Sequence, residues 1–294
     1  MLTEDCLSSL KIKYIPWPPN WEEGIGNSEG DPIVSKAKVV EISETEKELI
    51  RRGIDLYVDS NEKIKSVASD NKDLILSSSF YHSQHQFLVN RIPGSIPRIT
   101  VRKEEENSEV LLFAERMTTQ KDVLWVISSS VCEIGDCYVY ANQKKSAFYC
   151  VCDGYEEIAI QYRRPPANSK LRYLDVMIPA LSKASKSKMK IKYDGTKSHL
   201  LSHMYSENTP SDCVKLTVRE PQKKDGRYVL MFNGRVKRPS GKNFILISSQ
   251  NPSRELLLCG KSAQDEYVLD MSWPLTLLQG FAAFLTQFSK PKPF

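Results

Sequence analysis

The stretch Pro274-Leu-Thr-Leu-Leu-Gln-Gly-Phe-Ala-Ala-Phe-Leu-Thr-Gln-Phe288 limits the folds open to this chain more than any other. It holds no β-branched residue besides threonine. Pro274 suits a first helical turn, and Lys290 with Pro291 suits an end, where a cation complements the dipole and the ring stops propagation. The spacing therefore predicts a helix over 274–288. Leu275, Leu277, Leu278, Phe281, Ala282, Phe284, Leu285 and Phe288 cover nearly its whole circumference, and a helix apolar all round must be buried all round. At 1.5 Å per residue it would span only roughly 22 Å, short of a bilayer's ~30 Å core, and Thr276, Gln279, Thr286 and Gln287 interrupt it. What remains is a helix enclosed by other elements of its own domain.

The segments that could enclose it precede it. After residue 86 the apolar period becomes two, in short runs rich in β-branched and aromatic residues: Arg98–Arg102, Val110–Ala114, Val123–Ser128, Cys137–Ala141, Ala147–Cys152, Glu157–Tyr162, Leu171–Ile178, Lys188–Tyr193, Val214–Val218, Tyr228–Val236, Asn243–Ser248, Glu255–Cys259 and Glu266–Met271. Turn chemistry separates them, as at Asp153-Gly154, Asp194-Gly195, Asp225-Gly226 and Asn251-Pro252. About a dozen short strands at hairpin spacing imply a sandwich or barrel. Residues 1–85 read as an N-terminal extension, loosely ordered to about Pro32 and helical in two pieces over Ser43–Ser69, where Ser43 and Glu46 form a capping-box pattern. Residues 86–294 read as the barrel domain.

Charge sharpens the division. The 41 Lys and Arg against 36 Asp and Glu give a mild +5, but residues 1–97 carry 15 acidic and 11 basic side chains, so the excess of cations lies downstream. Seven scattered cysteines (Cys6, Cys132, Cys137, Cys150, Cys152, Cys213, Cys259) and a start without a basic and then apolar leader point to a reduced, intracellular protein.

Two motifs carry a resemblance. Tyr228-Val-Leu-Met-Phe-Asn-Gly-Arg-Val-Lys-Arg-Pro-Ser-Gly-Lys-Asn-Phe244 resembles the tubby-family signature Phe-x-Gly-Arg-Val, a short spacer, then Ser-x-Lys-Asn-Phe. Asp270-Met-Ser-Trp-Pro-Leu275 with Gln279-Gly-Phe-Ala-Ala-Phe-Leu-Thr-Gln-Phe-Ser-Lys290 is similar to the family's second signature, and Leu174-Asp-Val-Met-Ile-Pro179 and Ala114-Glu-Arg116 with Trp125-Val-Ile-Ser128 are weaker matches in register. The resemblance implies a mainly β fold: a closed antiparallel barrel of about twelve strands around the apolar C-terminal helix. It also implies a monomeric, non-enzymatic adaptor without cofactor. Such an adaptor binds phosphatidylinositol bisphosphate, is cytoplasmic and peripheral at the plasma membrane, and has family roles in carrying receptors into cilia and in the nucleus. A protein partner through residues 1–85 is left open, with neither an F-box pattern nor the basic helix that engages intraflagellar transport machinery.

Inositol phosphates demand clustered cations, because Arg grips phosphate oxygens bidentately and Lys supplies a movable point charge. The family's basic stretch corresponds to Ala114–Lys121 and retains Arg116 and Lys121, beside an opposing Glu115; the following hairpin adds Lys144 and Lys145 next to Gln143. Arg116, Lys121, Lys144 and Lys145 are the phosphoinositide candidates carried over. Independently of the family, Lys186, Lys188, Lys190 and Lys192 alternate, so a strand would present all four on one face. That face is either a second anion-binding patch or a lysine-protected solvent surface. Arg235 and Lys242, inside the signature, are read as structural or as binding residues, with Arg235 on a strand bonding backbone at the barrel rim.

Other chemistry finds little support. His82-x-x-His85 and His199-x-x-x-His203 lack the Glu of a metalloprotease motif, and Cys150-x-Cys152 lacks the zinc-knuckle gap, so no metal is expected. No Gly-rich phosphate loop occurs. The Lys186–Lys192 run has no interleaved aromatics, which argues against nucleic acid as a partner. A barrel that binds proteins without lipid is one alternative reading, and a nuclear transcriptional regulator is the other.

Overall fold

The computed structural model describes residues 75–76, 84–105, 107–118, 122–163, 173–182, 187–224 and 227–289. Its strands are β1 (Gln84–Ile92), β2 (Arg98–Lys103), β3 (Val110–Arg116), β4 (Val123–Ser129), β5 (Cys137–Ala141), β6 (Ala147–Cys152), β7 (Tyr155–Arg163) and β8 (Tyr173–Pro179). Then follow β9 (Ile191–Lys192), β10 (Cys213–Val218), β11 (Gln222–Lys224), β12 (Arg227–Val229), β13 (Phe244–Ser248), β14 (Glu255–Ala263) and β15 (Glu266–Ser272). Among the described residues the helices are α1 (His199–Ser202) and α2 (Leu277–Thr286), besides helical residues 75–76.

Every pairing is antiparallel, and β6 bonds to β7 while β1 bonds to β15, so the sheet closes on itself. Twelve strands make the ring; β9 branches from β7, and β11 with β12 forms a separate hairpin. Closure leaves no unpaired edge within the ring. Inside it lies α2, all ten of its residues buried, with Leu277, Leu278, Phe281, Phe284 and Leu285 fully so. The mainly β fold expected from the sequence, a closed barrel around the apolar helix, is the fold observed.

The helix begins later than the sequence suggested. Pro274 stands before it, after a cis Trp273–Pro274 bond, and Thr276 is the N-cap. Thr276 Oγ1 accepts from the Gln279 N–H at 3.2 Å, and Gln279 Oε1 accepts from the Thr276 N–H at 3.0 Å, a reciprocal capping box. The polar interruptions thus have a use. The helix ends are buried inside a closed wall, so side chains serve there. Gln279 Nε2 donates to the Glu157 carbonyl at 2.9 Å, and the Thr286 hydroxyl lies 2.9 Å from Tyr162 Oη across the barrel. Among the described residues no helix is long and apolar enough to cross a membrane.

Two strand assignments shrink. Tyr228–Val236 is strand only through Val229, because Asn233 and Gly234 both take positive φ and the Arg235 N–H donates to the Phe232 carbonyl at 2.9 Å, a tight turn. Lys188–Tyr193 reduces to β9, preceded by an isolated bridge between Lys188 and Leu181. Conversely, β1 is a full strand that the list of periodic segments omits. Ile75 is also buried in the main core. The helices expected over 43–69 lie outside the described residues.

β13, Phe-Ile-Leu-Ile-Ser, is buried at every position. Its inward side chains Phe244 and Leu246 join the helix core, while Ile245 and Ile247 join Leu258 and Val268 in a second cluster covered by Leu230, Phe232 and Val236. The 230–236 segment is therefore an outer layer, and the strands beneath it read as continuous apolar runs rather than alternating ones. Gly260 marks its closest approach: a Cβ there would overlap Val236 Cγ2 and fall 2.8 Å from Cγ1. Gly260→Ala is expected to cost about 1–3 kcal/mol by overpacking, measured by urea denaturation. A Gly260→Ala/Val236→Ala double variant should recover part of that loss, and an unchanged midpoint in the single variant would refute the contact.

Candidate functional site

At one mouth of the barrel the end of β3 meets the β5–β6 turn. The Arg116 N–H donates to the Pro97 carbonyl at 3.0 Å and the Met117 N–H to the Leu124 carbonyl at 3.0 Å, which fixes the chain just after the strand. Opposite, Asn142 builds the turn: its Oδ1 accepts from the N–H groups of Ser146 at 2.9 Å and Ala147 at 3.2 Å. Lys145 takes a positive φ of 53°, and its N–H donates to the Asn142 carbonyl at 2.9 Å. Between these pieces lies a groove of about 570 Å³ whose lining includes Arg116, Thr118, Asp122, Asn142, Gln143 and Lys145.

Of the four transferred candidates, the fold brings Arg116 and Lys145 into one groove, both half-buried, with Lys144 exposed on the same turn. Lys121 lies outside the described residues. Among the described residues no carboxylate forms an ion pair with Arg116, Lys144 or Lys145. Glu115, the expected opposing charge, is held instead by Arg98, its cross-strand partner, at 2.7 Å. Asp122 takes over that role inside the groove. The remaining lining offers amide and hydroxyl groups of Asn142, Gln143 and Thr118 beside apolar Met117, Val123, Leu124 and Ala141. Cations without local partners beside neutral hydrogen-bonding groups can accept an anion of several oxygens.

Of the alternating lysines, Lys188 differs from the exposed Lys190 and Lys192. Lys188 turns inward to pair with Glu157; their side chains are only 15% and 6% exposed. Burial pushes the Glu157 carboxyl up from its ordinary value, against the pull of Lys188. Lys190 lies over the Tyr155 ring, 5.2 Å from its centroid, and Lys192 is exposed. Lys186 lies outside the described residues.

The Arg235 guanidinium grips Asp270 bidentately, Nε to Oδ2 at 2.6 Å and Nη2 to Oδ1 at 2.7 Å, and also donates to Glu104 at 2.9 Å. Its partners are carboxylates rather than the rim backbone, and it follows a turn rather than lying within a strand. Lys242 sits 5.2 Å from the Phe288 ring centroid, over the end of the core helix. Cys150 and Cys152 are both buried in the apolar core. His82 lies outside the described residues, and the rings of His199 and His203 stand 4.6 Å apart.

Sequence reasoning passed over Asp122, Asn142 and Thr118 as groove residues. Asn142 carried a readable signal, being a turn-former before a Lys-Lys pair. Asp122 carried none.

Residues 135–290, more than half of the chain, match the sequence model of the Tub family. The chain is 32% identical over 136 residues to tubby-related protein 1 of Homo sapiens, which covers 46% of this chain and 24% of that protein. It is 34% identical over 92 residues to tubby protein homolog 1 of Caenorhabditis elegans, covering 31% and 22%. With protein king tubby of Drosophila pseudoobscura pseudoobscura it shares 29% over 119 residues, covering 40% and 26%. The matched stretches span about a quarter of the length of these curated relatives. Lys144 and Lys145 fall within the family match and Arg116 precedes it. Neither the family nor a side-chain-filled barrel of this type is an enzymatic kind. From the closed wall, the enclosed helix and this match, the chain belongs to the Tub family.

Proposed function

We propose that the protein is a peripheral membrane adaptor that binds phosphoinositide headgroups in the groove between β3 and the β5–β6 turn. The observation that carries this reading is the convergence of Arg116 and Lys145, without carboxylate pairing among the described residues, in a groove that also offers Thr118, Asn142 and Gln143 and holds one carboxylate, Asp122. The bisphosphate of phosphatidylinositol bisphosphate would sit against the two cations, with Lys144 facing the leaflet. Through it the barrel would be held at the cytoplasmic face of the plasma membrane, where membrane cargo destined for a cilium is one candidate load.

Each Lys or Arg near an anionic leaflet contributes ~1 kcal/mol. Replacing Arg116, Lys144 and Lys145 together by Ala is therefore expected to weaken binding to vesicles holding phosphatidylinositol 4,5-bisphosphate roughly a hundredfold. Co-sedimentation checks it, with phosphatidylcholine vesicles as the blank. Wild-type protein that ignores the bisphosphate at low salt would reject the proposal. Asp122 favours a second reading, because a carboxylate in the groove opposes phosphate and suits a basic peptide. In that case Asp122→Asn weakens binding of a basic peptide and leaves lipid binding absent, whereas a working lipid site gains affinity for the bisphosphate severalfold.

A further inference from the structure

A cluster apart from the groove combines three kinds of metal-binding atom. His199 opens α1, Asp212 ends the loop that follows, and Cys213 opens β10; His199 Nε2, an Asp212 carboxylate oxygen and Cys213 Sγ lie within 4.8 Å of one another. His199 Nε2 is 3.2 Å from Asp212 Oδ2, and Cys213 Sγ is 3.3 Å from Asp212 Oδ1. Zinc bonds of ~2.0–2.3 Å in a tetrahedron put ligand atoms roughly 3.3–3.8 Å apart. The two separations, made to the two oxygens of one carboxylate, are close to such edges, so small side-chain adjustments would admit an ion.

Two further observations point to a ligand. The His199 ring nitrogen that faces the cluster is shielded from solvent and, though 3.2 Å from the Asp212 carboxylate, makes no hydrogen bond of good geometry with it, a position in which both groups could turn to a metal. The backbone is also held in place. Glu156, itself buried, accepts from the Ser198 hydroxyl at 2.6 Å and from the N–H groups of His199 at 2.6 Å and Leu200 at 3.1 Å. On the other side the Ala180 N–H donates to the Asp212 carbonyl at 2.7 Å. Both donors are thus anchored to the barrel wall through separate strands, the preorganisation that a metal site requires.

We propose that His199, Asp212 and Cys213 form a zinc site that pins the α1–β10 connection to the outside of the barrel. Zinc suits the set, since imidazole nitrogen, carboxylate oxygen and thiolate sulfur are all its ordinary ligands. Binding displaces the Cys213 thiol proton to solvent and leaves a Zn–S bond. Water takes the fourth position.

The test uses the full chain purified without metal. One equivalent of Co(II) is expected to give the near-ultraviolet thiolate-to-Co(II) charge-transfer band, and Zn(II) to displace it and raise the melting midpoint. Cys213→Ser should abolish the band while Cys132→Ser keeps it. His199→Gln, on a part-exposed residue, should weaken Zn(II) binding at least about tenfold with a cooperative melt retained. Absence of the band in wild type, its persistence in Cys213→Ser, or indifference to His199→Gln overturns the site. Should Cys213→Ser fail to fold, Asp212→Asn supplies the same comparison by the same tenfold criterion.

Discussion

Deleting residues 275–294 is expected to abolish the cooperative thermal transition of the barrel. Leu277, Leu278, Phe281, Phe284 and Leu285 are each fully buried, and at ~1.5–3 kcal/mol apiece their burial matches the whole stability of an ordinary domain, about 5–15 kcal/mol. The loss exceeds these five side chains. Tyr267 and Tyr162 would lose partners in Phe284 and Thr286, and inward residues of every strand would line a void too large to collapse upon. Calorimetry of the truncated chain should show no unfolding endotherm, and near-ultraviolet circular dichroism should flatten. A milder version keeps the length: Phe281→Ala should cost about 3–5 kcal/mol. A truncated chain that melts cooperatively would contradict the central place given to α2.

Arg235→Ala is expected to cost about 3 kcal/mol, the lower part of the range for removing one partner of a buried pair, since the Arg235 side chain is 21% exposed. The cost arises from what remains. Asp270 is 1% exposed, and without the guanidinium its carboxylate would be left among apolar side chains with neither water nor counterion. Burial already pushes that carboxyl up from its ordinary value even with Arg235 present. Replacing both partners by apolar residues, Arg235→Met with Asp270→Leu, should therefore restore much of the stability. Urea midpoints of the two single variants and the double variant check this. A double variant as unstable as the sum of its singles would show that the pair is not acting as a unit.

How much of this was legible in the sequence depends on the range of the interaction. The helix was, because its apolar residues repeat within four positions and leave no polar face. Its true start was legible too, since Thr276 and Gln279 hold the capping-box spacing, but Pro274 offered a competing start and proline preference misled. Strand existence was readable from alternation, whereas the signature loop was misread as strand because Phe232 and Val236 are apolar for another reason: they cover the outer face of β13 and β14. Nothing local announces an outer layer. The groove was half legible. Arg116 and Lys145 could be named from the resemblance, but their meeting depends on the β3–β4–β5–β6 pairings, and the exchange of Glu115 for Asp122 as the nearby carboxylate depends on a cross-strand Arg98 contact. Arg235 and Glu104 are 131 residues apart, and no spacing rule reaches that far.

The ring is sealed by Gln84 against Ser272 and their neighbours in register, and the rod it encircles follows in the chain. On the ribosome, therefore, the wall is made before the thing it must be wrapped around. Partly formed sheets with open edges and exposed grease have to persist until translation reaches the 280s, and the first-to-last pairing then closes slowly because its loop is long.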